Sequence, residues 1–416
     1  MNIFKNKNQI EHVGLAIYLA KWVSISFGVA LLSGTASAFL LLSLEWATKT
    51  RDHYTWIMWF LPVAGFCVGW VYLRFGSHVE KGSNLLIDEI HDPQKTIPAR
   101  MAPFVFFGNV ISILFGASVG REGTAVQMGG SLADQLTHFF KFNSDDRRII
   151  LMAGISAGFA SVFGTPLAGA IFGLEVLIIG RMRYDAIFPC MISAIIADQI
   201  SLLWGVEHSH YVIQFIPAIS IWTLIALIFA GAIFGLTGKI FAESTHFLNT
   251  WLKKKISYAP MRPFIGGVIV LGATFIIGSD QYSGLGVPTI VSAFQDPLPP
   301  YDFIAKMAFT ITSLGSGFKG GEVTPLFYIG ATLGNILAPL LNLPFSFLAG
   351  LGFVAVFAGA ANTPLASIVL AMELFGAEIG IFAAIVCVTS YLFSGQSGIY
   401  KSQRSETIKP HHTQTK

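Results

Sequence analysis

The sequence predicts an all-α, polytopic membrane protein, and its hydropathy and charge pattern carry that prediction. Of its 416 residues, 53% are hydrophobic and only 12% are charged, whereas soluble domains carry about 25% charged residues. The following stretches contain no Asp, Glu, Lys or Arg: 22–44, 54–73, 101–120, 211–238, 263–279, 323–372 and 379–400. Because a helix crosses the bilayer with about 20 apolar residues, this pattern excludes a water-soluble enzyme.

Glycine and proline residues fall within the apolar stretches as well as between them. The chain has 42 glycines and 18 prolines, so many of its segments are predicted to be short or broken helices. Interrupted backbone is tolerated at membrane depth only where protein buries it or where it lines a cavity. Broken segments at corresponding positions in two halves of a chain indicate a transport site near the middle of the bilayer.

Two motifs occur twice, in the same order, and indicate an internal duplication. The paired segments are 165–168 (Thr-Pro-Leu-Ala) with Glu175 and 363–366 with Glu373, at an offset of 198, and 120–124 and 320–324, at an offset of 200. A duplication on this scale in a membrane protein is characteristic of transporters.

The duplication predicts four parts. These are a first membrane repeat over residues 1–238, an inter-repeat linker over 239–262, a second membrane repeat over 263–400 and a short C-terminal tail over 401–416. The linker is the most polar interior stretch and contains three consecutive lysines, 253–255. Lysines outside the apolar stretches favour the cytoplasmic side of a membrane.

Glu122 is the carboxylate that stands out in the apolar sequence. It lies between glycines at the start of a helical run, where free backbone N–H groups favour an anion. A carboxylate at membrane depth is costly and marks an ion pathway or a proton site; the alternative is a structural salt bridge with Arg121. Glu175 and Glu373, at equivalent positions of the two repeats, are interpreted as partners in interhelical hydrogen bonds.

Nothing in the sequence indicates a cofactor, a metal ion or a nucleic-acid partner. The segment 207–210 (Glu-His-Ser-His) could ligate a metal, but it is interpreted as a short solvent loop. Segment 315–320 matches the dinucleotide pattern G-x-G-x-x-G, but its flanks are membrane helices, so it is interpreted as an unwound segment that opens the next helix. The net charge is +3 with scattered basic residues, which excludes a nucleic-acid surface.

Four segments together resemble the CLC family of anion channels and transporters. They are Gly82-Ser83, Gly120-Arg121-Glu122-Gly123, Gly321-Glu322-Val323-Thr324-Pro325 and a late tyrosine, Tyr400. The resemblance implies two inverted repeats with broken helices, and a homodimer with one anion pathway in each protomer. It matches Glu122 to the external gating glutamate of the family, and Ser83 and Tyr400 to the serine and tyrosine of its central anion site.

Departures from the chloride-type members make the chain similar to the bacterial fluoride-transporting branch. Where chloride-type members have Gly-Ser-Gly-Ile-Pro, this chain has Gly-Ser-Asn-Leu-Leu at 82–86; Thr124 replaces a proline and Val323 replaces a phenylalanine. Chloride/proton exchangers place an internal proton-transfer glutamate at the position of Val176. Any proton coupling in this chain must therefore take another route.

We therefore expect a multi-pass protein of the bacterial inner membrane that exports fluoride in exchange for protons. Its partners would be the lipid bilayer, fluoride or chloride, protons and a second copy of the chain. Glu122 is the expected gating and proton-coupled residue, and the expected anion-binding residues are Ser83, Asn84, Gly123, Glu322, Val323, Thr324 and Tyr400. Two alternatives stay open. One is a chloride channel or chloride/proton exchanger of the same fold; the other is an intramembrane enzyme, which would need a nucleophile or metal constellation inside the membrane.

Overall fold

A computed structural model describes residues 2–139, 142–406 and 409, with side chains from residue 14 onward. The α-helices are α1 (Asn2–His53), α2 (Leu61–Phe75), α3 (Ser83–His91), α4 (Met101–Leu114), α5 (Glu122–Gln135), α6 (Ser144–Phe163), α7 (Pro166–Glu175), α8 (Ile187–Leu203), α9 (Ile221–Lys255), α10 (Met261–Ile277), α11 (Val287–Ala293), α12 (Asp302–Ser316), α13 (Val323–Leu340), α14 (Phe345–Ala361), α15 (Pro364–Phe375) and α16 (Gly380–Phe393). Single 3-10 turns occur at Thr55–Phe60, Ser77–Val79, Leu136–His138, Tyr184–Ala186 and Ala377–Ile379. Two short strands, β1 (Ile178–Ile179) and β2 (Arg404–Ser405), pair in parallel.

The apolar stretches fold into helices of unequal length, as the glycines and prolines predict. Five helical segments are long and apolar enough to cross a membrane: Gly14–His53, Thr55–Phe75, Tyr184–Leu203, Ile221–Lys255 and Val323–Leu340. Other apolar helices, such as α4, α7 and α15, have only 10–17 residues. The uncharged stretch 323–372 is divided into α13, α14 and most of α15, with Asn342 and Asn362 at positive φ in the breaks. The predicted all-α fold with broken helices is confirmed.

The two halves pack their helices in the same way. A Cβ atom at Gly129 of α5 would lie 2.4 Å from the carbonyl oxygen of Gly154 in α6, and one at Gly154 would lie 2.6 Å from the oxygen of Gly129. In the second half, Gly330 of α13 and Gly352 of α14 approach each other equally closely, at 2.1 and 2.2 Å. Small residues let membrane helices approach until their backbones touch. Both crossings therefore require glycine.

The same helix break also occurs in both halves. Helix α6 ends at Gly164 with φ 71°, and α14 ends at Asn362 with φ 56°. Both conformations are left-handed, and Gly and Asn are the residue types that adopt them most readily. Pro166 and Pro364 then open the next helices, where the missing N–H costs nothing.

Two carboxylates tie the halves together across α7 and α15. Glu175, at the end of α7, accepts hydrogen bonds from the backbone N–H groups of Leu365 and Ala366 at 3.0 and 2.8 Å. Glu373, near the end of α15, accepts from Leu167 and Ala168 at 2.9 and 2.7 Å. Each carboxylate thus caps the first turn of the other repeat's helix, where free N–H groups and the helix dipole favour a negative charge.

The predicted interhelical hydrogen bonds of Glu175 and Glu373 are therefore confirmed. Because the end of each helix meets the start of the other, α7 and α15 run antiparallel. Their contacts are reciprocal, as an approximate two-fold axis between the halves requires. This arrangement supports the inverted repeat that the resemblance implies.

Replacing Glu373 by glutamine should destabilise the fold without changing the ions that are moved. The amide keeps one acceptor oxygen, loses the charge and turns an NH₂ group toward a backbone N–H. A lost helix cap costs about 1 kcal/mol, so the unfolding temperature in detergent should fall. Glu378→Gln, at an exposed position after α15, is the matched control. Equal unfolding temperatures of the two variants would contradict the capping role.

The predicted linker is not a separate loop. Helix α9 runs without a break from Ile221 to Lys255, so the boundary between residues 238 and 239 lies inside it, and the loop that follows is short. The division into domains stays a prediction. Of the predicted tail, residues 407, 408 and 410–416 lie outside the described residues.

Candidate functional site

The two copies of the glycine-glutamate motif meet in the middle of the protein. Gly120 donates its backbone N–H to the oxygen of Gly321 at 2.6 Å and accepts from the N–H of Gly321 at 2.9 Å. This two-residue antiparallel bridge leaves no room for side chains, because a Cβ at Gly321 would lie 2.6 Å from the nitrogen of Gly123. The pairing brings the first turns of α5 and α13 side by side. Both helix N-termini therefore offer backbone donors to one region.

The Glu122 carboxylate is seated on the first turn of α13. Its Oε2 accepts from the backbone N–H of Thr324 at 3.0 Å and from that of Arg121 at 3.2 Å. The Thr324 hydroxyl, whose single proton is shared between the two oxygens, lies 2.6 Å from both Oε1 and Oε2. The residue is completely buried. A carboxylate thus occupies a set of close donors that suits an anion.

Arg121 supplies the cation nearest to this carboxylate. Its Nε lies 3.4 Å from Oε1 of Glu122, although this nitrogen makes no hydrogen bond within the described residues. The contact is therefore a Coulomb interaction, and the directional bonds to Glu122 come mainly from Thr324. The geometry combines both sequence interpretations of Glu122, since it is ion-paired and also seated at a helix N-terminus.

A polar cavity of about 410 Å³ lies on one side of the Gly120–Gly321 bridge. Of the residues predicted to bind the anion, it is lined by Ser83, Asn84, Glu322 and Tyr400. These four positions are up to 317 residues apart in sequence (400 − 83), so only the fold brings them together. Below, this space is called the polar cavity.

A second, narrow cavity of about 10 Å³ borders on the same two helix starts. It is lined by Arg121, Glu122, His208, Tyr211 and Thr324, among others. Glu122 and Thr324 line the narrow cavity and not the polar one. The polar cavity instead takes Thr124 and Glu322 from the same two helix starts, so each cavity borders on residues of both motifs.

The loop around His208 differs from its interpretation as a short solvent loop. Residues 206–220 form a long irregular segment between α8 and α9, and Val206 within it is buried. The His208 side chain is partly buried against Gly164 and lies 3.9 Å from Asp198. Charged and polar residues in a loop usually indicate that it is exposed to solvent, but part of this loop folds back and lines the narrow cavity.

The predicted site residues have unequal surroundings. The Ser83 hydroxyl accepts a hydrogen bond from Gln127 at 3.2 Å. The Asn84 side-chain oxygen Oδ1 accepts the backbone N–H of Ser402 at 2.9 Å, which ties helix α3 to the C-terminal segment. Val323 is 1% exposed and lines neither cavity.

Gly123 also lines neither cavity. A Cβ at Gly123 would lie 3.0 Å from Cα of Gly321, so its role in the structure is the close approach of the two helix starts. Gly123 and Val323 thus shape the site, whereas the other predicted residues present polar groups to it.

Sequence reasoning missed Asn109 of α4 and Gln127 of α5, and it gave Thr124 no role in the site. Asn109, completely buried, donates to the Gly120 carbonyl at 2.7 Å and to the Thr124 hydroxyl at 2.9 Å. Thr124 and Gln127 face the polar cavity one helical turn apart. Position 124 was singled out only as a departure from the family, and a lone Asn in an apolar helix was a signal that could have been followed.

No group of three or more His, Cys, Asp or Glu side chains that could hold a metal ion occurs within the described residues. The donors gathered at the site are hydroxyls, amides and backbone N–H groups. Such groups suit an anion rather than a metal cation.

Comparisons with known proteins show the family of the chain. A family profile described as voltage gated chloride channel matches residues 64–395. A chloride/fluoride channel protein of Pseudomonas syringae pv. tomato is 60% identical over 417 residues, which cover 99% of this chain and 92% of that protein. An H(+)/Cl(-) exchange transporter of Vibrio parahaemolyticus is 27% identical, over 74% of this chain and 70% of the other.

Among solved structures, a CLC-type fluoride/proton antiporter superimposes with a TM-score of 0.90 at 33% identity, covering 93% of this chain and 98% of the other. A slow cyanobacterial Cl-/H+ antiporter shares the fold with a TM-score of 0.79 at 18% identity, over 91% of this chain and 96% of the other.

Proposed function

The chain belongs to the voltage-gated chloride channel family, and from that premise we propose that it is a fluoride/proton antiporter that exports fluoride. The observation that carries the proposal is the position of the Glu122 carboxylate on the N–H and hydroxyl donors of Thr324, a set of donors that we call the Thr324 seat. A titratable carboxylate occupies the donors that would otherwise hold an anion, and it does so on the wall of the narrow cavity. An acid that competes with the transported anion for one site couples the two ions.

The coupling of anion movement to proton movement follows from the hydrogen bonds that Glu122 accepts in its ionised and in its protonated state. The ionised Glu122 carboxylate accepts from the N–H and the hydroxyl of Thr324. When a proton binds, the neutral carboxyl loses the charge that makes these bonds strong, so it leaves the seat and an anion can enter. The same seat thus holds either a carboxylate or an anion, and each exchange between them involves a proton.

The donors at this seat suit fluoride. Fluoride is small and binds its hydration water tightly, so a selective site must replace that water with close, hard donors. Thr324 provides a hydroxyl and an N–H on one residue, at 2.6 and 3.0 Å from the oxygens they now bind. In the polar cavity, the Glu322 carboxyl in its protonated form and the Ser83 hydroxyl could donate as well. Helix N-termini add partial positive charge without placing a full cation, which keeps release possible.

Glu322 gives the proton a route that does not need a glutamate at position 176. It is the N-cap residue of α13 and lines the polar cavity, whereas Glu122 lines the narrow cavity. A proton could thus pass between the polar cavity and the gate through two carboxyls. Val176 is 2% exposed and offers no titratable group.

The relatives support fluoride as the substrate. The 60% identical bacterial relative is named a chloride/fluoride channel protein, and the solved structure at 33% identity is of a fluoride/proton antiporter. A chloride channel or a chloride/proton exchanger of the same fold is the second candidate, and Ser83, the residue of chloride-type members, favours it. Transport without a catalytic reaction is part of the proposal, so we class the chain as no enzyme.

The proposed setting is the inner membrane of a bacterium, with the polar cavity open to the cytoplasm. Lys81, Lys253 and Lys401 line this cavity and are exposed, and lysines are enriched on the cytoplasmic side of membranes. Hydrogen fluoride enters cells as a neutral acid and dissociates inside. A proton-driven exporter with its anion entrance on that side would reverse the accumulation.

A homodimer completes the proposal. The paired helices α7 and α15 carry exposed apolar side chains at Leu167 and Leu365, and the adjacent helices α8 and α16 carry Ile195 and Ile381. A continuous apolar face of this kind suits either lipid or a second protomer. We assign it to the dimer contact that the family resemblance implies, with lipid around the remainder.

Efflux from liposomes tests the substrate. Purified protein is reconstituted into liposomes loaded with fluoride, chloride or nitrate, and ion-selective electrodes follow release. We expect fluoride to leave at least about tenfold faster than chloride, a discrimination of about 1.4 kcal/mol. Chloride leaving as fast as fluoride would overturn the fluoride assignment and favour the second candidate.

A further inference from the structure

Lys319 presents an ammonium group to the polar cavity in a fixed position. It lies in the irregular segment between α12 and α13, three residues before Glu322, and lines the cavity wall. A Cβ at Gly108 of α4 would lie 2.9 Å from the Cβ of Lys319, so the lysine stem packs directly on that helix. Its backbone N–H is anchored by the Ser112 hydroxyl at 3.3 Å. Packing against α4 thus fixes the position of the Lys319 side chain.

The ammonium group faces an aromatic ring and not a carboxylate. Its Nζ lies 4.1 Å from the centroid of the Tyr72 ring, and no ion pair within 4.0 Å involves it in the described part of the chain. Two other lysines of the cavity do have acidic partners: Lys81 pairs with Asp88 at 3.0 Å and Lys253 approaches Glu80 at 4.0 Å. A cation–π contact offsets only part of the cost of burying a charge.

The hydroxyl of the same tyrosine is also unpartnered. Tyr72 is 6% exposed, it lines the polar cavity, and its OH makes no hydrogen bond to any described residue. A buried hydroxyl without a partner is disfavoured unless something supplies one. An ammonium without an ion-pair partner thus lies on the cavity wall against the ring of a tyrosine whose buried hydroxyl also lacks a partner in the described part of the chain.

We propose that the Lys319 ammonium and the Tyr72 hydroxyl form a second anion-binding site on the wall of the polar cavity. Its ligand class is a small, hard monovalent anion, because both groups are compact donors and the ammonium carries a full positive charge. The anion would be held there, partly dehydrated, before it reaches the Thr324 seat. The identity of the ion as fluoride rests on the proposed function; the site itself rests on the two unpaired groups.

Two conservative variants separate this site from a purely structural contact. Tyr72→Phe keeps the ring that the ammonium faces and removes only the hydroxyl. Lys319→Met keeps the apolar stem and removes only the charge. Lys401→Met, at an exposed lysine of the same cavity, is the matched control.

The experiment is a calorimetric titration of the detergent-solubilised full chain with sodium fluoride and, separately, with sodium chloride. Because Glu122 occupies the Thr324 donors, the titration reports first on the cavity. We expect Tyr72→Phe and Lys319→Met each to weaken fluoride binding about tenfold, the effect of one charge-assisted hydrogen bond. Lys401→Met should bind as the wild type does, and Tyr72→Phe should unfold at the wild-type temperature or above it.

The outcomes separate this inference from the proposed function. Unchanged affinity for both anions in the two variants, with intact folding, would overturn the wall site and leave fluoride/proton exchange untouched. If the wild type binds chloride more tightly than fluoride and the variants weaken chloride binding, the fluoride assignment fails and the site stands. Weaker binding that appears only together with a lower unfolding temperature in both variants would reduce Lys319 and Tyr72 to a packing contact.

Discussion

Replacing Glu122 by glutamine is expected to abolish proton movement coupled to anion efflux, whichever anion is carried. The amide cannot take up or release a proton in the accessible pH range. It also fits the seat poorly, because with its oxygen on the Thr324 and Arg121 backbone N–H groups its NH₂ group would face the side-chain Nε–H of Arg121, 3.4 Å from the oxygen that it replaces. Two donors that face each other in a buried site are unfavourable, because at least one of them is left without an acceptor.

The measurement is the number of protons taken up for each anion released from liposomes, with a pH electrode and an anion electrode in the same chamber. The wild type should show a fixed ratio, and Glu122→Gln should show proton uptake no greater than that of liposomes without protein. Glu80→Gln, an exposed carboxylate on the polar cavity, is the matched control and should keep the wild-type ratio. A wild-type ratio in Glu122→Gln would remove Glu122 from the coupling mechanism.

Replacing Thr324 by valine should loosen the coupling and weaken the preference for fluoride. Valine has nearly the shape of threonine, so the packing of the buried position is kept and only the hydroxyl is lost. A hydrogen bond to a charged group contributes about 1.5–3 kcal/mol, so the seated state of Glu122 should become about 10- to 100-fold less favoured. More anions should then be transported for each proton, and the rate of chloride transport should rise relative to that of fluoride.

Two further threonine variants make this result specific. Thr324→Ser keeps the hydroxyl and should retain most of the coupling. Thr332→Val removes another buried hydroxyl of α13, one that donates to the Tyr328 and Ile329 carbonyls of its own helix at 2.8 and 3.3 Å, and should transport as the wild type does. If Thr324→Val moved protons and anions in the wild-type ratio, with unchanged selectivity, the hydroxyl would have no part in the seat.

The duplication is the part of the fold that the sequence predicts best. Equal offsets placed Glu175 and Glu373 at equivalent positions, and hydrogen bonding between helices followed from carboxylates in apolar sequence. That each carboxylate caps the helix of the other repeat could not be predicted, because an offset carries no information on which surfaces meet. The antiparallel pairing of Gly120 with Gly321 was hidden for the same reason.

Site residues that belong to a motif could be predicted from the sequence, whereas polar residues outside the motifs could not. Glu122 and Thr324 lie in repeated motifs, and the structure joins them directly. Asn109, Lys319 and Tyr72 occur once each, and their roles depend on contacts with helices distant in sequence. The interpretation of segment 207–210 as a solvent loop holds for Glu207 and His210, which are exposed, but not for His208 and Ser209, which line the narrow cavity. Polar residues in a loop do not by themselves tell which of them face solvent.

Uphill proton movement driven by fluoride tests the central claim most directly. Liposomes containing the wild-type protein are loaded with fluoride, the membrane voltage is held at zero with potassium and valinomycin, and the lumen is set more acidic than the outside. An antiporter that exchanges fluoride for protons must draw protons into the acidic lumen as fluoride leaves, and Glu122→Gln must not. Fluoride release with protons moving only down their own gradient would show a passive channel and contradict the account.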